Sequence, residues 1–385
     1  MFKNKILLPH SSALMLQIFV LLMLLEGALV DSSFLSMFSH VHEEKRTLDQ
    51  IYAAALKEGG RLIVYAGGDT ADQQDGTKAA FEQQFPNMTL DIVVDYSKFH
   101  GPRIEYQLQN PPLVPDVVQL QTLQDFPRFK KMGVLMAYKP AGWSAIYSDY
   151  RDADGYYLGI MVICFSNLVN TELMTNQSDW PREAADYLKP IFAGKKLAVT
   201  WPNDDDAVLF WFKQVVDKYG WKWVEAFVKQ QLILVRGTQD SAIMVYNKTA
   251  VASMSSSGSL NPSSGQKARL VLPAKDGFTM WAQQAAIFKN AKHPEAAKLY
   301  LNWHLTKEKQ QANMWPVRTD VPAPKGYPQS WDYKNQSSHK AFAAFMEDRE
   351  AAERFRHEIA FFFGEPKGDP SPGFPGLYPD KALPH

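Results

Sequence analysis

Residues 62–70 read LIVYAGGDT. The run opens with the apolar density of a buried strand and stops at two glycines followed by two small polar residues, Asp69 and Thr70. Upstream, residues 46–60 (RTLDQIYAAALKEGG) place Leu48, Ile51, Tyr52, Ala55 and Leu56 at helical spacing and end on Gly59-Gly60. Downstream, 77–85 reads as a helix closed by Pro86, 90–94 (LDIVV) as a strand, 103–109 as a helix, 116–120 (DVVQL) as a strand and 123–132 as a helix. Strand and helix alternate at close intervals, which predicts a parallel α/β sheet.

The pattern restarts after a loop at 139–155. Residues 156–165 (YYLGIMVICF) and 196–200 (KLAVT) are predicted strands, 184–192, 205–219 and 221–230 are predicted helices, and 241–246 is a shorter candidate helix. Apolar segments follow at 250–254, 269–272 and 284–288, then a helix begun by Pro294 with Ala297, Tyr300, Leu301, His304 and Leu305 on one stripe. Further helix is expected within 339–363, and a Pro- and Gly-rich tail, 364–385, is expected to be irregular. The chain therefore reads as α/β with two lobes. Ligands in open α/β sheets lie beyond the carboxyl ends of the strands, so the residues just after each strand are the candidate site.

Composition narrows the function. The 385 residues are 46% hydrophobic and 21% charged, and Lys plus Arg equals Asp plus Glu at 41 each. That balance gives no basic field for nucleic acid. Lys3 and Lys5 precede an apolar run, 13–25, with small residues Gly27, Ala28 and Val30 behind it, so residues 1–30 read as a secretory signal peptide rather than a membrane anchor. Four sequons, at Asn87, Asn176, Asn247 and Asn335, agree with a secreted glycoprotein. No other long apolar segment follows, so no stable membrane insertion is expected, and the chain is expected to work as a monomer on a small-molecule ligand.

The motifs of nucleotide, phosphate-loop, serine-hydrolase and HExxH zinc chemistry are missing, so no cofactor and no catalytic set is implied. His40 and His42 form one close pair in the N-terminal segment and read as solvated; His304 reads as a core residue. Cys164, the single cysteine, sits inside IMVICF and reads as a buried thiol. The strand ends carry Gly67, Gly68, Asp69 and Thr70, then Gln119 and Gln121. The cluster Asn203-Asp204-Asp205-Asp206 reads either as a helix cap or as groups for a cation or amine. Ser255 and Ser256, in MSSSGS, have hydroxyls suited to an oxyanion or polar ligand, unless the segment is simply a flexible loop. Trp201 and Trp281 could stack on a ligand, though tryptophan is more often core.

Seven stretches in fixed order carry a family resemblance: EGGRLIVYAGGD (58–69), FEQQFPNMTLDIV (81–93), PDVVQL (115–120), DGYYLGIMVICFSNLVN (154–170), PIFAGKKLAVTWPNDD (190–205), VASMSSSGS (251–259) and the segment 291–322 with HPEAAKLYLNWHLTKEKQQ. The chain resembles type II periplasmic solute-binding proteins of ABC importers, in the group whose members take ferric iron, polyamines, thiamine or phosphonates. The resemblance implies a periplasmic-binding-protein-like II fold, with lobe 1 from 42–158 plus 272–320 and lobe 2 from 159–271 plus 321–363. It implies hinges near 157–160 and 271–273, and a non-enzymatic protein that closes on one small polar solute. The implied ligand shell is Gly68, Asp69, Thr70, Gln119, Gln121, Ser166, Asn167, Asp204, Asp205, Ser255 and Ser256, to which strand-end position adds Gly67 and Trp281. Gly67 and Gly68 are expected to let the ligand approach the backbone.

The resemblance stops at two features. Ferric-binding members carry an adjacent tyrosine pair where Tyr246 stands alone here. The sequons, the long tail and the lack of a lipobox cysteine suit a eukaryotic, fungal secreted homologue. Two rival functions remain: a thiaminase-like cleft enzyme using Cys164, and a secreted interaction protein with a vestigial cleft.

Overall fold

The computed structural model describes residues 41–333 and 336–379. The chain divides into two compact units, Met1–His42 and Glu43–His385. Of the first unit only Val41 and His42 are described; every helix and strand named below lies in the second. The expected leader at 1–30, His40 and the sequon residue Asn335 lie outside the described residues.

Helix α1 (Leu48–Lys57) is started by a reciprocal cap: the Thr47 hydroxyl accepts the Gln50 N–H, and the Gln50 side chain accepts the Thr47 N–H. Strand β1 (Arg61–Gly67) then splits its side chains between two faces. Leu62, Val64 and Ala66 join a cluster with Ile51, Phe81 and Trp303. Ile63 and Tyr65 join another with Ile104, Phe126 and Phe129. Both faces are covered, which is why the run is apolar throughout rather than alternating. Helix α2 (Asp75–Gln84), strand β2 (Thr89–Asp95), helix α3 (Ser97–Gln109), strand β3 (Val117–Leu120) and helix α4 (Asp125–Lys131) complete the first pattern. β1 lies between β2 and β3 and is parallel to both.

Strand β4 (Leu158–Asn170) leads into the second pattern. It comprises β5 (Ala198–Thr200), α5 (Asp206–Tyr219), α6 (Trp221–Val228), β6 (Ile233–Val235), α7 (Thr238–Tyr246), β7 (Ala252–Ser256) and β8 (Ala268–Val271). Strand β9 (Thr279–Ile287) returns, followed by α8 (Pro294–His304), α9 (Lys307–Ala312), α10 (His339–Glu347) and α11 (Arg349–Phe363). The main sheet runs β2-β1-β3-β9-β4-β7, with β8 also on β4; β5 and β6 form a separate parallel pair.

Three sequence expectations change. The sheet is mixed, because β9 is antiparallel to both β3 and β4. The helix expected at 184–192 is two 3-10 turns, Ala184–Leu188 and Pro190–Phe192, since Pro190 cannot continue a helix. β6 was not foreseen, because the apolar run LILV (232–235) comes directly after a helix and fits either helix or strand.

β4 and β9 belong to both lobes. From Leu158 to Phe165, β4 pairs with β9; from Ser166 onward it pairs with β7 and β8. β9 starts against the second lobe, where the Thr279 hydroxyl donates to the Ala207 carbonyl (3.0 Å), and ends paired with β3. The partner change on β4 thus falls between Phe165 and Ser166, beyond the 157–160 expected for a hinge.

No helix among the described residues is long and apolar enough to cross a membrane. Cys164 is fully buried, and burial pushes its thiol well above the ordinary range.

The β4–β9 pairing depends on Gly159. A Cβ there would lie 2.7 Å from Ala282 Cβ and 3.2 Å from the Tyr150 carbonyl oxygen. Gly159→Ala is expected to lower unfolding free energy by about 1–3 kcal/mol through overpacking, read as a lower urea midpoint; an unchanged midpoint would show that the strands have room there.

Candidate functional site

A cavity of about 290 Å³ opens where the ends of the parallel strands face the second lobe. Its floor is Ile163 and Phe165 of β4 with Trp281 and Gln283 of β9. The Trp281 indole meets Phe165 edge-on at 4.9 Å and donates to Gln283 Oε1 (3.0 Å), so its ring is fixed. The first-lobe wall is the β1 end (Gly67, Gly68, Asp69), Gln73, the β2–α3 junction (Tyr96, Ser97, Lys98), and Gln121 and Thr122 after β3. The second-lobe wall is Asp204, Asp205 and Asp206 at the start of α5, then Arg236, Thr238, Gln239 and Ala242 around the start of α7, and Ser257 after β7.

The two walls touch. The Asp69 carboxylate accepts from the Thr238 hydroxyl (2.6 Å) and from the Gln239 backbone N–H (2.7 Å), so it sits on the N-terminus of α7. Lys98 Nζ donates to the Asp204 carbonyl (2.9 Å) and also meets its carboxylate. The Gln121 amide donates to Asp205 Oδ2 (2.9 Å), and the Gln124 amide to Asp206 Oδ2 (3.2 Å).

The acidic residues divide into two kinds. Asp204 receives Lys98 and a two-point contact from Arg236, Nε at 2.9 Å and Nη2 at 2.8 Å. Burial works to raise its carboxyl, but Arg236 and Lys98 outweigh that and hold it below the usual range. Asp206 receives Arg356 at 2.8 Å. Asp69 and Asp205 have no cationic side chain paired with them among the described residues. Burial raises Asp69, against the hydrogen bonds from Thr238 and Gln239. Burial pushes Asp205 up to about 7, the Val208 N–H and Gln121 opposing, and Asp206 and Asp69 adding to the rise. The Tyr96 phenol reports the same field: burial raises it, and Asp69, Asp240 and Asp204 raise it further.

Of the expected shell, Gly67, Gly68, Asp69, Gln121, Asp204, Asp205 and Trp281 line the cavity. Asp205 is also the cap of α5, its Oδ1 accepting the Val208 N–H (2.9 Å), so the capping and cleft readings fall on one residue. Thr70 is outside the lining; its N–H turns to Gln73 Oε1 (3.4 Å). Gln119 is buried within β3 beneath α8, where its Oε1 accepts the Tyr300 hydroxyl (2.6 Å). Ser166 is buried and donates to the Val271 carbonyl (3.0 Å), and Asn167 accepts the Tyr187 hydroxyl (2.6 Å). Ser255 accepts the Thr200 N–H (2.8 Å), and Ser256 donates to the Thr238 carbonyl (2.8 Å). These groups belong to strand interiors and hydrogen-bond within the fold, except the Gln119 amide nitrogen, which is buried without a partner. The residues just past the strands, Gln121 and Ser257, reach the cavity instead. Trp201 is buried outside it.

The two glycines have a different reason from the one expected. A Cβ on Gly67 would fall 2.1 Å from Ser97 Oγ, and one on Gly68 would fall 2.6 Å from Val94 Cγ1. They make room for the chain's own β2–α3 junction, so Gly68→Val would disturb packing and is not a clean probe of binding.

Lys98, Tyr96, Ser97, Arg236, Thr238 and Gln239 were missed. The first three follow β2 directly, where the strand-end rule applies unchanged. The others follow β6, whose short apolar run LILV (232–235) comes directly after a helix and is consistent with either helix or strand. Among the described residues, no group of three or more His, Cys, Asp or Glu side chains is arranged to hold a metal ion.

Comparisons with known proteins agree with this architecture. The family model described as bacterial extracellular solute-binding protein matches residues 50–341. No curated protein matches significantly by sequence. Iron-bound HitA from Pseudomonas aeruginosa superposes with a TM-score of 0.59 at 16% identity, covering 78% of this chain and 99% of its own. AfuA from Actinobacillus pleuropneumoniae, with fructose-6-phosphate bound, gives 0.60 at 17% identity, covering 79% and 98%. An ABC-transporter substrate-binding protein from Agrobacterium tumefaciens gives 0.60 at 14% identity, covering 78% and 94%. At these identities the structural matches establish the two-lobed fold, and the family match establishes membership: the chain belongs to the bacterial extracellular solute-binding protein family.

Proposed function

We propose that the chain is a secreted, non-enzymatic binding protein that captures a small organic cation, an amine or diamine, in the interlobe cavity. The observation that supports this reading is the pair Asp69 and Asp205. Both face the cavity, both lack a cationic partner among the described residues, and burial raises both carboxyls. The usual anion positions, the N-termini of α5 and α7, are already held by these carboxylates of the chain itself. Once ionised, Asp69 and Asp205 would repel an anionic solute, whereas an amine would favour their ionised forms and supply the missing counter-charge beside Trp281, Phe165 and Tyr96. Closure would move the lobe built on β1, β2 and β3 toward the lobe built on β5, β6 and β7 by bending β4 and β9. Exposed Asn87, Asn176 and Asn247 are compatible with a glycosylated surface.

The enzyme reading is disfavoured because the Cys164 thiol is enclosed in the first-lobe cluster with Val162, Met280 and Trp315. A mild thiol reagent is expected to label the chain only after unfolding. Fast labelling of the native protein would revive a nucleophilic role.

Calorimetry with a linear diamine, inorganic phosphate, a sugar phosphate and ferric citrate tests the solute class. Only the diamine is expected to bind. Asp205→Asn keeps the helix cap, since Asn caps as well as Asp, but removes the charge, and is expected to weaken the diamine about 10- to 100-fold. Unchanged affinity, or binding of phosphate alone, would remove the proposal.

The pH dependence has a definite sign. A folded pKa raised to about 7 means Asp205 carries a proton below that pH, which a cation must displace. Diamine affinity is therefore expected to rise from pH 5 to pH 8, by up to about tenfold per unit below 7. The same raised carboxyl favours the unliganded fold at low pH and loses that contribution as pH rises through 7. An anionic solute would show the opposite trend in affinity.

A further inference from the structure

We propose that residues 364–379 form a strap that ties the second lobe to the first across the rim of the cavity, and that hinge opening requires its release from the first lobe. The family match ends at residue 341, ahead of α11 and this segment. α11 belongs to the second lobe, with Phe355, Ile359 and Phe363 in the cluster that holds Phe212 and Trp223. The segment leaves α11 at Gly364, whose carbonyl accepts Asn203 Nδ2 (3.0 Å), and passes Arg236, whose Nη1 donates to the Gly368 carbonyl (3.3 Å). It then crosses to the first lobe. The Ser371 hydroxyl donates to Asp95 Oδ1 (2.7 Å) at the end of β2, one residue before Tyr96 of the cavity wall. Gly373 lies against Ala71, just after Asp69.

The far end is fastened along α3. Arg103 Nε donates to the Gly376 carbonyl, and the Gln107 amide donates to the Leu377 carbonyl (2.7 Å). The Tyr378 hydroxyl meets the Asn110 carbonyl, and its ring packs edge-on against Tyr106 at 6.0 Å. Neither lobe holds the segment alone. Pro366, Pro370, Pro372, Pro375 and Pro379 restrict its unbound conformations, so less entropy is lost on docking than for an ordinary tail. One end is continuous with α11, so docking of the other end is effectively intramolecular and favours the closed arrangement. A bending of β4 and β9 that separates Asp95 from Arg236 must first strip the contacts on α3.

Hydrogen exchange on the full chain and on a truncation ending at Gly364 tests this without any solute, so its outcome is separate from that of the proposed ligand. The Gln239 amide is the reporter, because it is held across the lobes by Asp69; the β1 amides are the internal control. The truncation is expected to speed Gln239 exchange about tenfold or more while β1 stays slow. Equal exchange in both proteins would overturn the strap. If truncation also speeds β1, the double variant Ser371→Ala, Tyr378→Phe decides: acceleration confined to the start of α7 supports the strap, and none refutes it.

Discussion

The antiparallel pairing of β4 with β9 is the constraint on which the remaining structure depends. These two strands alternate their loyalties: β9 is shared between β3 and β4, and β4 exchanges β9 for β7 and β8 between Phe165 and Ser166. The pairing therefore joins the lobes and supplies the cavity floor in one piece, through Ile163, Phe165, Trp281 and Gln283. Gly159 lets the strands approach beside Ala282, and His339 of α10 accepts the Ala282 N–H (3.2 Å) on the other side. Burial lowers the His339 imidazole to about 4, so it stays a neutral acceptor near neutrality.

Electrostatics then sets what the cavity can take. Helices α5 and α7 both point their N-termini at the space between the lobes, which by itself would favour an anion. The chain fills those positions with Asp205 and Asp69. Lys98 and Arg236, the cations that could have attracted an anion, are spent on Asp204. What is left unneutralised is negative. The neighbouring folds include proteins with iron and with fructose-6-phosphate bound, so the fold by itself does not name a solute.

The sequence displayed the scaffold more clearly than the site. β1 was legible because a strand covered on both faces is apolar along its interior, and α1 because an apolar stripe marks its face and Gly59-Gly60 follow its end. Site residues were legible where a strand end was legible: Asp69 after β1, Gln121 after β3, Asp204 and Asp205 after β5. Gln119, Ser255 and Ser256 lie one or two positions short of the cavity lining, inside their strands, where their oxygens hydrogen-bond within the fold. Arg236 and Thr238 were harder to find because the short apolar run that forms β6, LILV (232–235), comes directly after a helix and does not by itself distinguish strand from helix. Gly68 lines the cavity, and the sequence does not reveal that Val94 lies behind it.

The proposed choice of a cationic solute turns on Asp205 being an uncompensated carboxylate in the free protein. A carbon-13 NMR titration of its side-chain carboxyl, with and without saturating diamine, measures this directly. The free protein should show a midpoint near 7, and the complex a lower one. A midpoint in the ordinary carboxylate range without solute, or one that rises when the diamine is added, would contradict it.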